Sequence, residues 1–227
     1  MDFSQLEQNI GIRFKDRKFL QTAFVHRSYL NEHPEYEGES NERLEFLGDA
    51  ILEFITSRYL FNHFPNLSEG ELTAFRSALV STKNLAKTAK KLNLGKFLFL
   101  AKGEEENGGR ENPGILENTV EALIGAIFLD QGLEKAKEFV QKNILSALPE
   151  IIRTKSYKNP KSQLQEVVQE KYKTPPIYKV LKEEGPDHAK IFTIAVFVEG
   201  KEMGRGKGKN KQEAEEKAAK QALEKIK

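Results

Sequence analysis

The chain contains no cysteine, which excludes disulfides and thiolate metal centres. No apolar run reaches the roughly 18–20 residues that a membrane-spanning helix requires. The opening segment MDFSQLEQNI lacks the basic start and apolar block of a secretory signal. Histidine is scarce, four in 227 residues, and forms no cluster. These absences lead to the expectation of a cytoplasmic protein with no membrane partner. At 38% hydrophobic and 31% charged residues, the chain has the means to build a core and stay in solution, as one large domain or two modest ones.

Charge is unevenly spread. Residues 1–154 carry 19 Lys and Arg against 23 Asp and Glu, a net of −4, whereas residues 155–227 carry 17 against 11, a net of +6. A basic module attached to an acidic one suits a polyanion-binding tail beside a body that attracts cations. Ordinary variation of surface charge is the plainer explanation, and charge alone does not separate the two.

Up to Thr154 the apolar residues recur at helical spacing, as in NLAKTAKKLNL and VEALIGAIFL. Breaks are expected at HPEYEGES, FPNLSEG and KGEEENGGRENPG, the last as a loop. TKSYKNP, residues 154–160, has the composition of a short polar linker. After it PKSQLQEVVQEKY predicts an amphipathic helix, with Leu164, Val167, Val168 and Tyr172 on one stripe. IYKVLKEEG, KIFTIAVFVEG and KEMGRGKG predict three strands, and NKQEAEEKAAKQALEKI a final helix on which Asn210 and Glu213 form a capping box. The expected order from Pro160 onward is α-β-β-β-α.

The stretch NERLEFLGDAIL places Glu42, Glu45 and Asp49 within roughly 60° of one another on a helical wheel, with Leu44, Leu47 and Ile51 on another side. Gly48 keeps that helix slim beside the acids and admits a close partner. A second helix, LENTVEALIGAIFL, sets Glu117, Asn118 and Glu121 on one edge and Val120, Leu123, Ile124 and Ile127 away from them. Two such helices packed together would converge their acids, and partly buried carboxylates repel unless a cation neutralises them. Hard oxygen ligands of this kind favour Mg²⁺ or Mn²⁺. Spacing by itself leaves the alternative open that these are solvated acids paired with Arg43 or a lysine.

The motif ERLEFLGDA, preceded by FVHRSYLNE and followed by TVEALIGAIFLDQG, closely resembles the diagnostic segments of the ribonuclease III family. PKSQLQE, GPDH and NKQEAEEKAAKQAL resemble, in order, those of a double-stranded RNA-binding domain. The resemblance spans essentially the whole chain. It implies an all-α catalytic domain over residues 1–154, with the linker at about 154–160, followed by a small α+β RNA-binding domain over 160–227. It implies an endoribonuclease that hydrolyses phosphodiester bonds of double-stranded RNA with Mg²⁺, or Mn²⁺ in its place, leaving 5′-phosphate and 3′-hydroxyl ends. Ribosomal precursor processing and messenger turnover are the implied settings.

By the same resemblance Glu45, Asp49 and Glu121 hold the metal, with Asp49 and Glu121 catalytic, and Glu42 and Glu69 play supporting, substrate-side roles. Family members carry aspartate where this chain has Asn118, at the fourth metal-facing position. Asparagine keeps the shape and one carbonyl oxygen but not the charge, so reduced activity at low Mg²⁺ is expected, with a non-catalytic duplex-RNA binder as the alternative. Phe46 is implied as a contact in a homodimer. His26, within the His26-Arg27-Ser28 stretch, is expected to be a packed structural residue. In the second domain Gln163 and Glu166, then Pro186, Asp187 and His188, match residues that enter successive minor grooves, and Lys209 and Lys211 match those that bridge the phosphates between.

Overall fold

Helical periodicity in the first two-thirds of the chain becomes ten helices in the computed structural model, which describes residues 3–186 and 190–226. They are α1 (Ser4–Ile10), α2 (Arg17–Ala23), α3 (Arg27–Glu32), α4 (Glu42–His63), α5 (Glu69–Leu79), α6 (Thr82–Lys91), α7 (Lys102–Glu106), α8 (Pro113–Gln131), α9 (Leu133–Asn143) and α10 (Leu148–Thr154). No helix among the described residues is long and apolar enough to cross a membrane.

The apolar α8 is the centre of this unit. Asn112 caps its start, accepting from the Gly114 N–H at 2.9 Å, and Pro113 occupies the first turn, where a missing N–H costs nothing. Gly132, at φ 82°, ends it. Val120, Leu123, Ile124 and Ile127 are completely buried, as the wheel predicts. On α4, Leu44 and Ile51 are buried and Leu47 packs against the same core.

Where α4 crosses α8 the two backbones touch. A Cβ added to Gly48 would lie 1.7 Å from the Glu121 carbonyl oxygen, and one added to Gly125 would lie 2.3 Å from the Leu44 carbonyl oxygen. The expected close partner of Gly48 is therefore the other acidic helix itself.

In this unit one local expectation changes. KGEEENGGRENPG is not a plain loop: it contains α7 and a 3₁₀ turn at Gly109–Glu111. Arg110 holds that turn, donating to the Glu105 carboxylate at 2.6 Å and to the carbonyls of Gly95 and Leu98 at 2.8 and 3.0 Å. The chain then divides into compact units between Tyr157 and Lys158, with the Tyr157 ring edge-on to Phe75 at 4.5 Å.

The second unit runs α11 (Pro160–Tyr172), β1 (Ile177–Glu184), β2 (Ile191–Val198), β3 (Lys201–Gly208) and α12 (Lys211–Ile226). The strands form one antiparallel sheet in the order β1-β2-β3, with a register shift in β1 between Val180 and Lys182. Leu164, Val168, Val196, Ala218 and Ala222 form its core. Asn210 caps α12 through the Glu213 N–H at 2.8 Å, but Glu213 reaches back to the Lys209 N–H, one residue earlier than a capping box requires.

Gly48→Ala tests the crossing. Its methyl group would force α4 away from α8, so urea unfolding should show a loss of about 1–3 kcal/mol, the usual scale of overpacking; unchanged stability would contradict the contact.

Candidate functional site

The Gly48–Gly125 crossing decides which side chains meet. Glu45 and Asp49 lie within one turn of Gly48, and Glu121 lies one turn before Gly125 with Asn118 and Glu117 behind it. Glu45, Glu117, Asn118 and Glu121 are half-buried and Asp49 is exposed. Burial raises the Glu45 pKa, and the charge of Glu42 raises it further; the Asn118 side chain, a hydrogen-bond partner, works against this, while Glu117 and Asp49 add to the rise. Glu121 is pushed up to about 8, first by burial and then by the charges of Asp49, Glu117, Glu45 and Glu53. Like charges in a partly dry site disfavour ionisation of one another.

Among the described residues, cations stand only at the margins. Glu42 faces Arg27 at 3.8 Å, and Glu53 pairs with Arg76 at 2.9 Å. Among the described residues, Glu45, Asp49, Glu117 and Glu121 have no ion-pair partner. Among those residues, too, no three acidic or histidine side chains are already drawn into a metal cage. The charges of Asp49 and Glu117 thus reach both Glu45 and Glu121, but the four carboxylates are not clasped together. An all-oxygen, uncompensated set of this kind fits a hard divalent ion such as Mg²⁺ or Mn²⁺.

The other expected residues fall as follows. Glu69 opens α5, where its carboxylate accepts from the Thr73 hydroxyl at 3.1 Å. Phe46 is 81% exposed on α4. His26 caps α3, with Nδ1 2.8 Å from the Ser28 hydroxyl, and burial lowers its pKa. In the second unit Gln163 and the exposed Glu166 lie on α11, and Pro186 is exposed after β1. Asp187 and His188 lie outside the described residues. Lys209 and Lys211 are exposed at the start of α12.

Two contributors escaped the sequence reading. Gly125 is essential to the crossing, and its signal was a glycine inside an otherwise strong apolar helix. Glu53, one turn beyond Asp49, adds its charge to Glu121 while held by Arg76.

Comparison with known proteins agrees with this architecture. The Ribonuclease-III-like family matches residues 16–148, and the double-stranded RNA binding motif matches residues 160–226. Ribonuclease 3 of Geobacillus sp. (strain WCH70) is 46% identical over 225 residues, which are 99% of this chain and 91% of that protein. Ribonuclease 3 of Anoxybacillus flavithermus (strain DSM 21510 / WK1) is 46% identical over 227 residues, 99% and 94% of the respective chains. A solved nuclease domain of ribonuclease III from Campylobacter jejuni, described for flexibility in a region involved in dimer formation, aligns with a TM-score of 0.60 at 42% identity. It covers 65% of this chain and 99% of its own. A helical nuclease domain joined to a double-stranded RNA-binding domain defines an endoribonuclease specific for duplex RNA. The chain belongs to the ribonuclease III family.

The raised pKa of Glu121 gives a signed prediction for the metal-free protein. A folded pKa of about 8 against 4.5 for the free group means stability is full below about pH 4.5 and is lost as pH rises through about 8. Glu121→Gln removes that loss, so in chelator its melting temperature should overtake the parent's across this window. Parallel curves for the two proteins would show that Glu121 is not perturbed.

Proposed function

We propose that Glu45, Asp49 and Glu121, with the Asn118 carbonyl oxygen, hold Mg²⁺, for which Mn²⁺ substitutes, and that the enzyme uses it to hydrolyse duplex RNA. A divalent ion in such a site lowers the pKa of water and offsets the charge that develops on the phosphoryl oxygens. Water attacks phosphorus and gives up a proton, the bond to the 3′ oxygen breaks as that oxygen takes a proton from solvent, and the products carry a 5′ phosphate and a 3′ hydroxyl. Asp49 and Glu121 are the catalytic carboxylates, which would orient the attacking water and take up its proton. Glu42 and Glu69 support them from the substrate side.

The observation that carries this is the half-buried Glu121, pushed up to about 8 beside Glu45, Asp49 and Glu117, which have no ion-pair partner among the described residues. A protein has little reason to crowd such groups unless a cation joins them. Asn118 removes one negative charge from the set, so the enzyme needs more Mg²⁺ than an aspartate version would. In a cleavage assay on long duplex RNA, Asn118→Asp should reach half-maximal rate at about 10–100-fold lower Mg²⁺, the scale of a weakened metal neighbour. No cleavage by either form with Mg²⁺ or Mn²⁺ would overturn the proposal.

The second domain supplies duplex recognition. Its exposed Lys209 and Lys211 neutralise phosphates, while Gln163, Glu166 and the 186–188 segment face the minor grooves. Changing both lysines to alanine should weaken duplex binding and flatten its dependence on salt; binding as tight as the parent's at moderate salt would refute these contacts.

The enzyme acts as a homodimer. Phe46, Phe54 and Phe61, spaced eight and seven residues apart on α4, are 81%, 51% and 73% exposed, an apolar face that water disfavours. Phe46→Asp should yield a monomer in sedimentation; an unchanged dimer would exclude Phe46 from the interface. Processing of ribosomal precursors and messengers in the cytoplasm is the setting that fits such an enzyme.

A further inference from the structure

We infer that Glu183 is an affinity-setting residue of the RNA-binding domain: it occupies Lys211 as an internal stand-in for phosphate, and duplex RNA must displace it. This rests on the proposed contact of Lys211 with phosphate. The Lys211 ammonium lies 3.6 Å from the Glu183 carboxylate and 5.6 Å from the centre of the Phe192 ring. Glu183 and Phe192 are cross-strand partners on β1 and β2. The lysine is therefore held from two neighbouring positions, by charge and by the ring face.

This meeting depends on an irregularity in β1. Tyr178 and Val180 pair with Val196 and Ile194, both buried, on the face that α11 and α12 cover. Strict alternation from Val180 would turn Lys182 toward that face and Glu183 away from it. The register shift between Val180 and Lys182 inserts one residue, so Glu183 instead pairs with Phe192 and comes within reach of Lys211. A β-bulge of this kind re-aims side chains. Here it turns a carboxylate toward one of the two cations expected to meet RNA.

Lys211 and Glu183 keep 59% and 43% of their side-chain surface exposed, so a phosphate can reach the ammonium and exchange with the carboxylate. The carboxylate then stays behind near the polyanion. Both effects lower affinity, and together they make the domain hold duplex less tightly than its lysines would alone. For an enzyme that must release cut product, that is a brake on retention.

The test is a double-mutant cycle on the full chain, binding a long RNA duplex in chelator so that no cleavage occurs. Lys211→Ala alone should weaken binding; if it does not, the phosphate-contact reading falls and this inference falls with it. Glu183→Gln should tighten binding about two- to five-fold, the scale of an exposed ion pair, and steepen the salt dependence by close to one ion. In the Lys211→Ala background the same change should have little effect. If Lys211→Ala weakens binding but Glu183→Gln does not tighten it, the lysine contact survives and the role of Glu183 is overturned. An equal gain with and without Lys211 would also overturn it, because Glu183 would then act by simple repulsion of RNA.

Discussion

The contact between Gly48 and Gly125 governs the catalytic half of this protein. Packed helices normally stand about 8–10 Å apart because side chains fill the space between them. Removing both side chains at one level lets the main chains of α4 and α8 touch, and the residues beside that level are drawn together. Glu45 and Asp49 flank one glycine, and Glu121 stands one turn before the other. The acids are close because the backbones are, and the backbones are close because two Cβ atoms are missing.

Such a site costs folding free energy, and the surrounding structure offsets it. The buried face of α8, with Val120, Leu123, Ile124 and Ile127 wholly enclosed, anchors the helix that carries the most perturbed carboxylate. Arg27 and Arg76 neutralise Glu42 and Glu53 at the two ends of the acidic strip, so uncompensated charge is confined to its middle. Asn118 eases that middle further, as a neutral neighbour and hydrogen-bond partner of Glu45. The asparagine proposed to weaken metal binding would therefore also relieve repulsion when no metal is bound. The RNA-binding domain follows a similar logic on its surface, where Glu183 pairs with Lys211, one of the lysines proposed to meet phosphate.

Much of this was legible from residue order alone. The apolar stripes of α4, α8 and α11 were readable because helical periodicity and burial coincide there. The α-β-β-β-α order followed from β-branched runs separated by glycine and polar turns. What stayed hidden depends on pairing between distant segments. Nothing in the spacing of Gly48 names Gly125 as its partner, and nothing in KGEEENGGRENPG announces that Arg110 will fold it by reaching back to Gly95 and Leu98. The outward or inward aim of Glu183 could not be read either, since one inserted residue in β1 reverses it. The candidate acids themselves could be picked out by motif, whereas which of them find a cationic partner among the described residues is a property of the folded chain.

Paramagnetic Mn²⁺ offers the most direct test of whether the crossing of α4 and α8 builds a cation site. Titrated at sub-stoichiometric levels into isotope-labelled protein, it should broaden the amide signals around Glu45, Asp49, Asn118 and Glu121 first, before those of other acid-rich segments. Broadening that begins instead at Glu104–Glu106, or that spreads evenly over the surface acids, would contradict the account.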